Sequence, residues 1–273
     1  MRKMTCIFAL LIFGSLFAKE DRIDEYFNFI QLHKGQTQTF GDYKRGEIEI
    51  VRDRKKIREI EQMQKRRFKK MGLSEAEAIK ASEVGIISKD TYWIWIRDAV
   101  IFPTGAEGTY NRLIWVSSLE NGTPGVAILP VLSDGRVALI LNFRHAIRQW
   151  VLELPRGLRQ EKETIEETVN RELREETGLY VANQHFLGKI TPDSGIMSSE
   201  VPVYMGTIRK KGVSNQDYSE AILRYELFTV NELKEALSKG WIEMDIKGEK
   251  EKVGITDSFI TFALLQAEYK KLL

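Results

Sequence analysis

The chain has 273 residues, 43% of them hydrophobic, so it can bury the core of one large domain or of two smaller ones. Its formal net charge is +2, and a balance this close to neutral argues against a protein whose main partner is nucleic acid. The single cysteine, Cys6, excludes an internal disulfide framework and a cysteine-based zinc site, and three histidines argue against a histidine-rich metal site.

Residues 1–18 have the pattern of a secretory signal peptide. Arg2 and Lys3 form a basic start, and the apolar run over 5–17 is too short for an ordinary membrane span. We therefore predict export to the periplasm or the medium, with removal of Cys6 and of any cysteine nucleophile. The alternatives are an uncleaved membrane anchor and a buried N-terminal helix in a cytoplasmic protein.

The next region is predicted to be helical. A short amphipathic helix is expected over 23–32, and apolar residues recur at helical spacing through 57–71. Gly72 is a natural end for the second helix. Ser74 followed by Glu77 is a capping-box pattern, which predicts that another helix begins there.

The polar side of the helix within 52–70 carries mainly lysine and arginine. One interpretation is contact with an acidic partner, such as a membrane surface or RNA. We favour a second interpretation, a solvated face on a helix that packs within the chain or forms a homodimer, because a few nearby acids would cancel the charge.

Residues 91–118 contain two runs rich in aromatic and β-branched side chains, separated by proline and glycines. This composition predicts a β-hairpin. Its tryptophans, Trp93, Trp95 and Trp115, either form an aromatic cleft for a base or fill a core or an interface.

A loop at 122–125 marks the expected boundary between a helical and hairpin region, 19–122, and a C-terminal domain, 123–273. Asp134-Gly135 between apolar runs predicts a hairpin at the start of that domain. Further strands are expected at 185–191, 200–209 and 222–229, and helices at 231–239, with Asn231 near the cap, and at 256–271, opened by Thr256 or Asp257. This order predicts a mixed sheet with helices before and after it, an α/β (α+β) sandwich.

An acidic helix lies within 157–179 and organises the chemistry. Glu172, Glu175 and Glu176 are spaced so that they share one side of the helix, where like charges repel. A hard divalent cation would relieve that repulsion, because Mg²⁺ prefers oxygen ligands. The segment therefore predicts a site for Mg²⁺ or Mn²⁺; the alternative is a solvated acidic helix with internal ion pairs.

The spacing G-x5-E-x7-R-E-L-x-E-E-x-G-L over 157–179 resembles the signature of the Nudix hydrolases, with every defining position filled. The resemblance implies a Nudix-like α/β/α sandwich that uses a divalent metal to cleave a nucleoside diphosphate linked to another group. The stretches N-F-R-H and E-L-P-R-G resemble the ADP-ribose pyrophosphatase branch, which implies a nucleotide sugar as substrate. Pro192 lies closer to the signature than the proline of that branch, a departure that bears on ADP-ribose itself.

The resemblance also implies roles for individual residues. Glu172 and Glu176 are the expected metal ligands, with Glu175 binding a second ion or handling the attacking water. Arg171 would orient the glutamates, with Glu163 as its partner. The remaining expectations are Gly157 and Gly178 as structural glycines, Arg144 and Arg156 as substrate-binding residues, and Glu249, Glu251 or Glu200 as the catalytic base.

Two other functions fit the same residues. One is an RNA 5′-end pyrophosphohydrolase that would use the basic helix to hold RNA. The other is a nucleotide-binding or regulatory Nudix module that does not catalyse hydrolysis.

Overall fold

A computed structural model describes residues 21–32, 39–216 and 221–273. The predicted signal peptide and Cys6 lie outside the described residues, so export stays a prediction. No helix within these described ranges is both long and apolar enough to span a membrane. The described strands form two sheets, one of four strands and one of nine.

The N-terminal part packs helices against the four-stranded sheet. Its elements are α1 (Arg22–Leu32), β1 (Glu49–Ile50), α2 (Arg54–Lys70), α3 (Glu75–Ser82), β2 (Gly85–Lys89), β3 (Trp93–Ile101), β4 (Glu107–Trp115) and α4 (Val116–Asn121). β3 and β4 pair as an antiparallel hairpin, which confirms the prediction for this region. The capping box of Ser74 and Glu77 is also confirmed.

Part of the basic side of α2 is paired with acids of the same chain. Arg54 and Arg58 contact Asp21, and Lys65 and Lys69 both contact Glu75. These contacts support the interpretation of a solvated face on a packing helix. A homodimer through this region stays a prediction.

The C-terminal part is built on the nine-stranded mixed sheet. Its elements are β5 (Gly125–Val131), β6 (Val137–Arg144), β7 (Gln149–Glu153), β8 (Arg156–Leu158), α5 (Ile165–Thr177), β9 (Leu179–Ile190), β10 (Val201–Lys211), β11 (Ile222–Phe228), α6 (Val230–Lys239), β12 (Trp241–Ile246), β13 (Glu249–Gly254) and α7 (Ser258–Tyr269). The main strand order is β12-β13-β7-β6-β5-β10-β9, with β11 on β6 and β8 on β5. β10 runs parallel to β5, whereas β6 and β9 pair antiparallel with their neighbours.

Alternation along β5 gives the sheet two buried faces. Val126 and Ile128 belong to the core shared with α5, and Ala127 and Leu129 belong to the core shared with α6 and α7. The sheet is therefore covered by helices on both faces. This arrangement confirms the predicted α/β/α sandwich with a mixed sheet.

The helix predicted over 231–239, with Asn231 near its cap, is confirmed as α6; the cap itself is Thr229, whose side chain accepts a hydrogen bond from the backbone N–H of Glu232. One local prediction was wrong. The charged stretch around Glu249 and Glu251 is not a loop but β13, paired antiparallel with β12. Its side chains are mostly charged and exposed, so the hydrophobic alternation that signals a strand is missing and only the backbone pairing defines it.

Candidate active site

α5 is anchored so that its acidic residues face the β7–β8 connection. Thr164 caps its start in a capping box with Glu167, and Gly178 ends it in a left-handed conformation. Val169 and Leu173 are fully buried against the sheet. The packing of the helix therefore fixes the positions of Glu172 and Glu176 relative to β8.

Glu172 and Glu176 are buried beside the backbone of β8. A Cβ at Gly157 would lie 2.0 Å from the carboxyl carbon of Glu172, so only glycine leaves room for this carboxylate. Glu176 accepts a hydrogen bond of 3.1 Å from the backbone N–H of Arg156. The two expected metal ligands thus converge on one short stretch of main chain.

Arg171 binds the surrounding acids. It donates to Glu163 at 2.7 and 3.0 Å, to Glu172 at 2.7 Å and to Glu175 at 3.0 Å. It also donates to the carbonyl of Leu158 at 2.8 Å, which ties the helix to β8. One cation therefore organises three carboxylates, with Glu163 as the partner that the resemblance implied.

The charges in this cluster shift the pKa values of Glu163 and Arg171. The hydrogen bonds from Arg171 lower the pKa of Glu163 to about 2, against the opposing effect of burial. Burial disfavours the charged form of Arg171, but its bonds to Glu163 and the charge of Glu172 outweigh burial, and its pKa is raised. The pair of Glu163 and Arg171 is therefore ionised throughout the neutral range.

The donor set fits a hard divalent cation. In the part of the chain that the structure describes, no three His, Cys, Asp or Glu side chains are already arranged as a metal site, and Arg171 holds Glu172 and Glu175. Mg²⁺ usually takes only one or two carboxylates together with substrate phosphates. The two buried carboxylates, Glu172 and Glu176, lie beside Gly157 and meet that requirement.

A cavity of about 400 Å³ opens next to this acidic cluster. A neighbouring cavity of about 250 Å³ shares four of its lining residues, Arg144, Arg156, Pro192 and Phe259. Two arginines therefore stand in the space that adjoins the expected metal ligands. This is a suitable setting for phosphate groups.

Three residues that sequence reasoning did not assign hold those arginines. Glu153 bonds both Arg144 and Arg156, Asn142 donates to Glu153, and Asp257 accepts a hydrogen bond of 2.9 Å from Arg156. Burial works against the charge of Arg156, but Asp257 and Glu153 outweigh it and its pKa is raised. The sequence offers one signal for this support, the glutamate Glu153 inside the apolar run W-V-L-E-L. A charge in such a run is expected to be buried, and a buried charge requires partners.

The N-terminal sheet supplies one wall of the larger cavity. Trp115 lines it and stacks on Trp93, with ring centroids 3.4 Å apart. Trp95 instead is half-exposed, donates to Asn111 and is not a lining residue of this cavity. The backbone of Leu113 bonds the 193–198 loop at both its N–H and its carbonyl, which holds that loop beside Trp115.

The three glutamates outside α5 that were candidates for the base line neither cavity. Glu249 and Glu251 are exposed on β13, and exposed Glu200 pairs with Lys189 at 3.3 Å. Glu175, on the acidic face of α5, is the remaining candidate. Glu175 is the acid of that helix face whose side chain is 31% exposed, and it is therefore the one most open to solvent water.

Comparison with known proteins finds a matching family model and similar sequences. Residues 122–245 match the family model described as NUDIX domain. The chain is 29% identical over 119 residues to an ADP-ribose pyrophosphatase of Mycobacterium tuberculosis, covering 43% of this chain and 58% of that protein. It is 41% identical over 69 residues to an ADP-ribose pyrophosphatase of Bacillus subtilis, covering 25% of this chain and 36% of the relative. Each match spans less than two thirds of the relative's length.

A solved structure shows the same fold. A protein described as an ADP compounds hydrolase superposes with a TM-score of 0.52 and 18% identity, covering 69% of this chain and 91% of its own. At this identity the likeness concerns the fold alone.

Proposed function

We propose that this chain, whose residues 122–245 match the NUDIX domain model, hydrolyses the pyrophosphate bond of a nucleoside diphosphate linked to a sugar, such as ADP-ribose. Water adds across the P–O–P linkage, so the products are a nucleoside monophosphate and a sugar phosphate. The proposal extends to this chain the activity named for its relatives, the ADP-ribose pyrophosphatases.

The observation that carries the proposal is the meeting of acids and arginines at the β7–β8 connection. The backbone N–H of Arg156 bonds Glu176 of the acidic cluster, while its side chain lines the adjoining cavity with Arg144. A diphosphate needs both kinds of group, because its charge is shared between metal ions and donors such as guanidinium. This pairing supports a diphosphate rather than an uncharged substrate.

A divalent cation, Mg²⁺ or Mn²⁺, would be held by Glu172 and Glu176, with Glu175 available for a second ion. When bound, it would neutralise phosphate charge and lower the pKa of a water molecule. Arg171 keeps Glu172 and Glu175 oriented, and Gly157 keeps the space in front of Glu172 open. We assign the water to Glu175, the most exposed acid of this helix face.

The rest of the cavity supports a nucleotide sugar. Trp115 and Phe259 give it aromatic surface beside the arginines, which suits a base or a sugar next to a diphosphate. The aromatic-cleft interpretation therefore applies to Trp115.

The proposal is tested with purified protein, Mg²⁺ or Mn²⁺, and a panel of dinucleotides and nucleotide sugars whose products are separated by chromatography. We expect ADP-ribose or a related nucleotide sugar to give a nucleoside monophosphate and a sugar phosphate. Turnover should stop when the metal is chelated. Nucleotide binding without any product, measured by isothermal titration, would contradict hydrolysis and favour a non-catalytic module.

We also propose export, which the pattern of residues 1–18 supports. The full-length chain with a C-terminal tag should appear in a bacterial host as a shortened form in the periplasm or the medium. An unshortened chain confined to the cytoplasm would contradict export without bearing on the chemistry.

A further inference from the structure

Glu153, at the end of β7, is a buried carboxylate that binds two arginines at once. Its side chain is 1% exposed. It accepts a hydrogen bond of 2.8 Å from Nε of Arg144 and one of 2.8 Å from Nη2 of Arg156, and its other oxygen forms an ion-pair contact of 2.7 Å with Nη2 of Arg144. Asn142 donates a further bond of 2.7 Å. Both carboxylate oxygens are therefore occupied by donors from neighbouring strands.

The two contacts to Arg144 fix the plane of its guanidinium. A fork of two parallel bonds to one carboxylate holds an arginine far more rigidly than a single contact does. The third nitrogen, Nη1, has no hydrogen-bond partner in the described part of the chain, and Arg144 lines both cavities. Glu153 thus leaves one donor edge of this arginine for a ligand.

The same carboxylate lets two cations stand side by side. The side chains of Arg144 and Arg156 are partly exposed, at 39% and 25%, and the two cations would repel each other without a shared counter-charge. With Glu153 and Asp257 the formal charges of the four groups cancel, so the pair is held in place before any ligand arrives. Pre-placed donors lose little freedom on binding, which favours affinity.

We propose that Glu153 is a positioning residue that aims Arg144 and Arg156 at the diphosphate of the substrate. The assignment rests on the proposed function, because it takes the cavity to be the diphosphate site. It differs from a role in charge balance alone, and the two roles predict opposite results. If Glu153 only balanced charge, its neutralisation would leave the cavity more positive and phosphate binding tighter.

The experiment measures binding of α,β-methylene-ADP, which cannot be cleaved at the bridging position, to the full chain with Mg²⁺ by isothermal titration. Glu153→Gln keeps the size of the side chain and removes its charge. We expect binding weakened roughly tenfold or more, the usual effect of losing the partner that orients a ligand-binding group. Equal or tighter binding by Glu153→Gln would overturn the proposal.

Asp98→Asn is the matched control. Asp98 is also 1% exposed and holds an arginine, Arg112, at 2.5 Å, but it lies in the N-terminal sheet and also accepts a bond from Tyr26. Its neutralisation should cost stability as Glu153→Gln does and leave binding of the analogue within about twofold, since it lines neither cavity. A loss of binding equal to that of Glu153→Gln would mean general destabilisation and would overturn the proposal.

Arg144→Lys provides a second test of positioning if Glu153→Gln does not fold. Lysine preserves the charge but cannot form the fork, so we expect Arg144→Lys to bind the analogue as poorly as Arg144→Ala. Wild-type binding by Arg144→Lys would refute positioning. Wild-type protein that binds the analogue but cleaves no nucleotide sugar would contradict hydrolysis only, whereas wild-type protein that fails to bind it would overturn this inference.

Discussion

The glycine at position 157 allows a sharp test of how the acidic cluster is built. Its φ lies outside the left-handed region, so alanine is compatible with the backbone there. The obstacle is the side chain alone. An added Cβ would lie 2.0 Å from the carboxyl carbon of Glu172 and 2.1 and 2.2 Å from its two oxygens. Gly157→Ala should therefore displace that carboxylate while β8 keeps its pairing with β5.

The size of the effect follows from the overlap. Ordinary contact begins at 3.4 Å, so the carboxyl carbon must retreat by about 1.4 Å, from 3.4 − 2.0, or β8 must shift. Displacement of a reacting group by about 1 Å can cost roughly 100-fold in rate. We expect kcat/KM for ADP-ribose to fall by about that factor, or about 2.7 kcal/mol. The stability cost of overpacking should be about 1–3 kcal/mol.

The assay is Mg²⁺-dependent hydrolysis of ADP-ribose, with thermal unfolding measured on the same samples. Gly254→Ala is the matched control, because Gly254 is also a strand glycine but its Cβ would meet Val151 at an ordinary 3.7 Å. That control should keep turnover within about threefold of wild type. If Gly157→Ala hydrolyses ADP-ribose as fast as Gly254→Ala, then Glu172 does not need its position against Gly157 and the description of the cluster is wrong.

Three further outcomes are expected. The pKa of Glu163 is lowered to about 2, so its carboxylate stabilises the fold fully at pH values above its ordinary pKa of 4.5, and this contribution is lost as the pH falls towards 2. Glu163→Gln should therefore lower the free energy of unfolding by on the order of 2 kcal/mol at pH 7, measured by urea unfolding, and by less in acid. A deficit that does not change with pH would contradict the pairing with Arg171. Trp115→Ala should raise the KM for a nucleotide sugar roughly tenfold, whereas Trp95→Ala, outside the cavity, should not. Equal KM values for the two variants would show that the base does not bind against Trp115. Thr164→Ala should lower the free energy of unfolding by about 1 kcal/mol through loss of the α5 cap, and an unchanged value would show that the cap is dispensable.

Elements with strong local signals were predictable from the sequence. The hairpin of β3 and β4 has aromatic and β-branched strands around a proline and glycine turn. α5 has a capping box, an apolar side and a terminal glycine, and its acids follow helical spacing. Each of these features depends on residues close together in the chain, so the pattern and the structure agree.

The support of the two arginines depends on tertiary pairing and could not be predicted in this way. Glu153 lies nine positions from Arg144 and three from Arg156, but its contact with Arg144 requires β6 and β7 to pair in the register that places Ile140 opposite Glu153. Asp257 reaches Arg156 across 101 positions of sequence because α7 begins beside the β7–β8 connection. Sequence alone indicated that Thr256 or Asp257 would open a helix, and Asp257 does so, but the sequence gave no sign that the same carboxylate also binds an arginine.

The candidate bases show a second limit. The loop predicted around Glu249 and Glu251 is a strand that pairs with β12. β12 alternates Ile242, Met244 and Ile246 with acidic residues, whereas β13 carries no such alternation. Charged residues on both of its faces conceal a strand from any hydrophobic periodicity. The position of β13 relative to α5 is set by its single register contact with β7, between Gly254 and Val151.

The central claim is that the acidic face of α5 carries out metal-dependent hydrolysis of a pyrophosphate bond. It is tested most directly by the rate at which the Glu175→Gln/Glu176→Gln double variant converts ADP-ribose with Mg²⁺, compared with wild type and with Glu166→Gln. Glu166 lies exposed in the first turn of the same helix and serves as the control. We predict no measurable turnover in the double variant, with folding retained, and wild-type turnover in Glu166→Gln; undiminished turnover in the double variant would contradict the assignment.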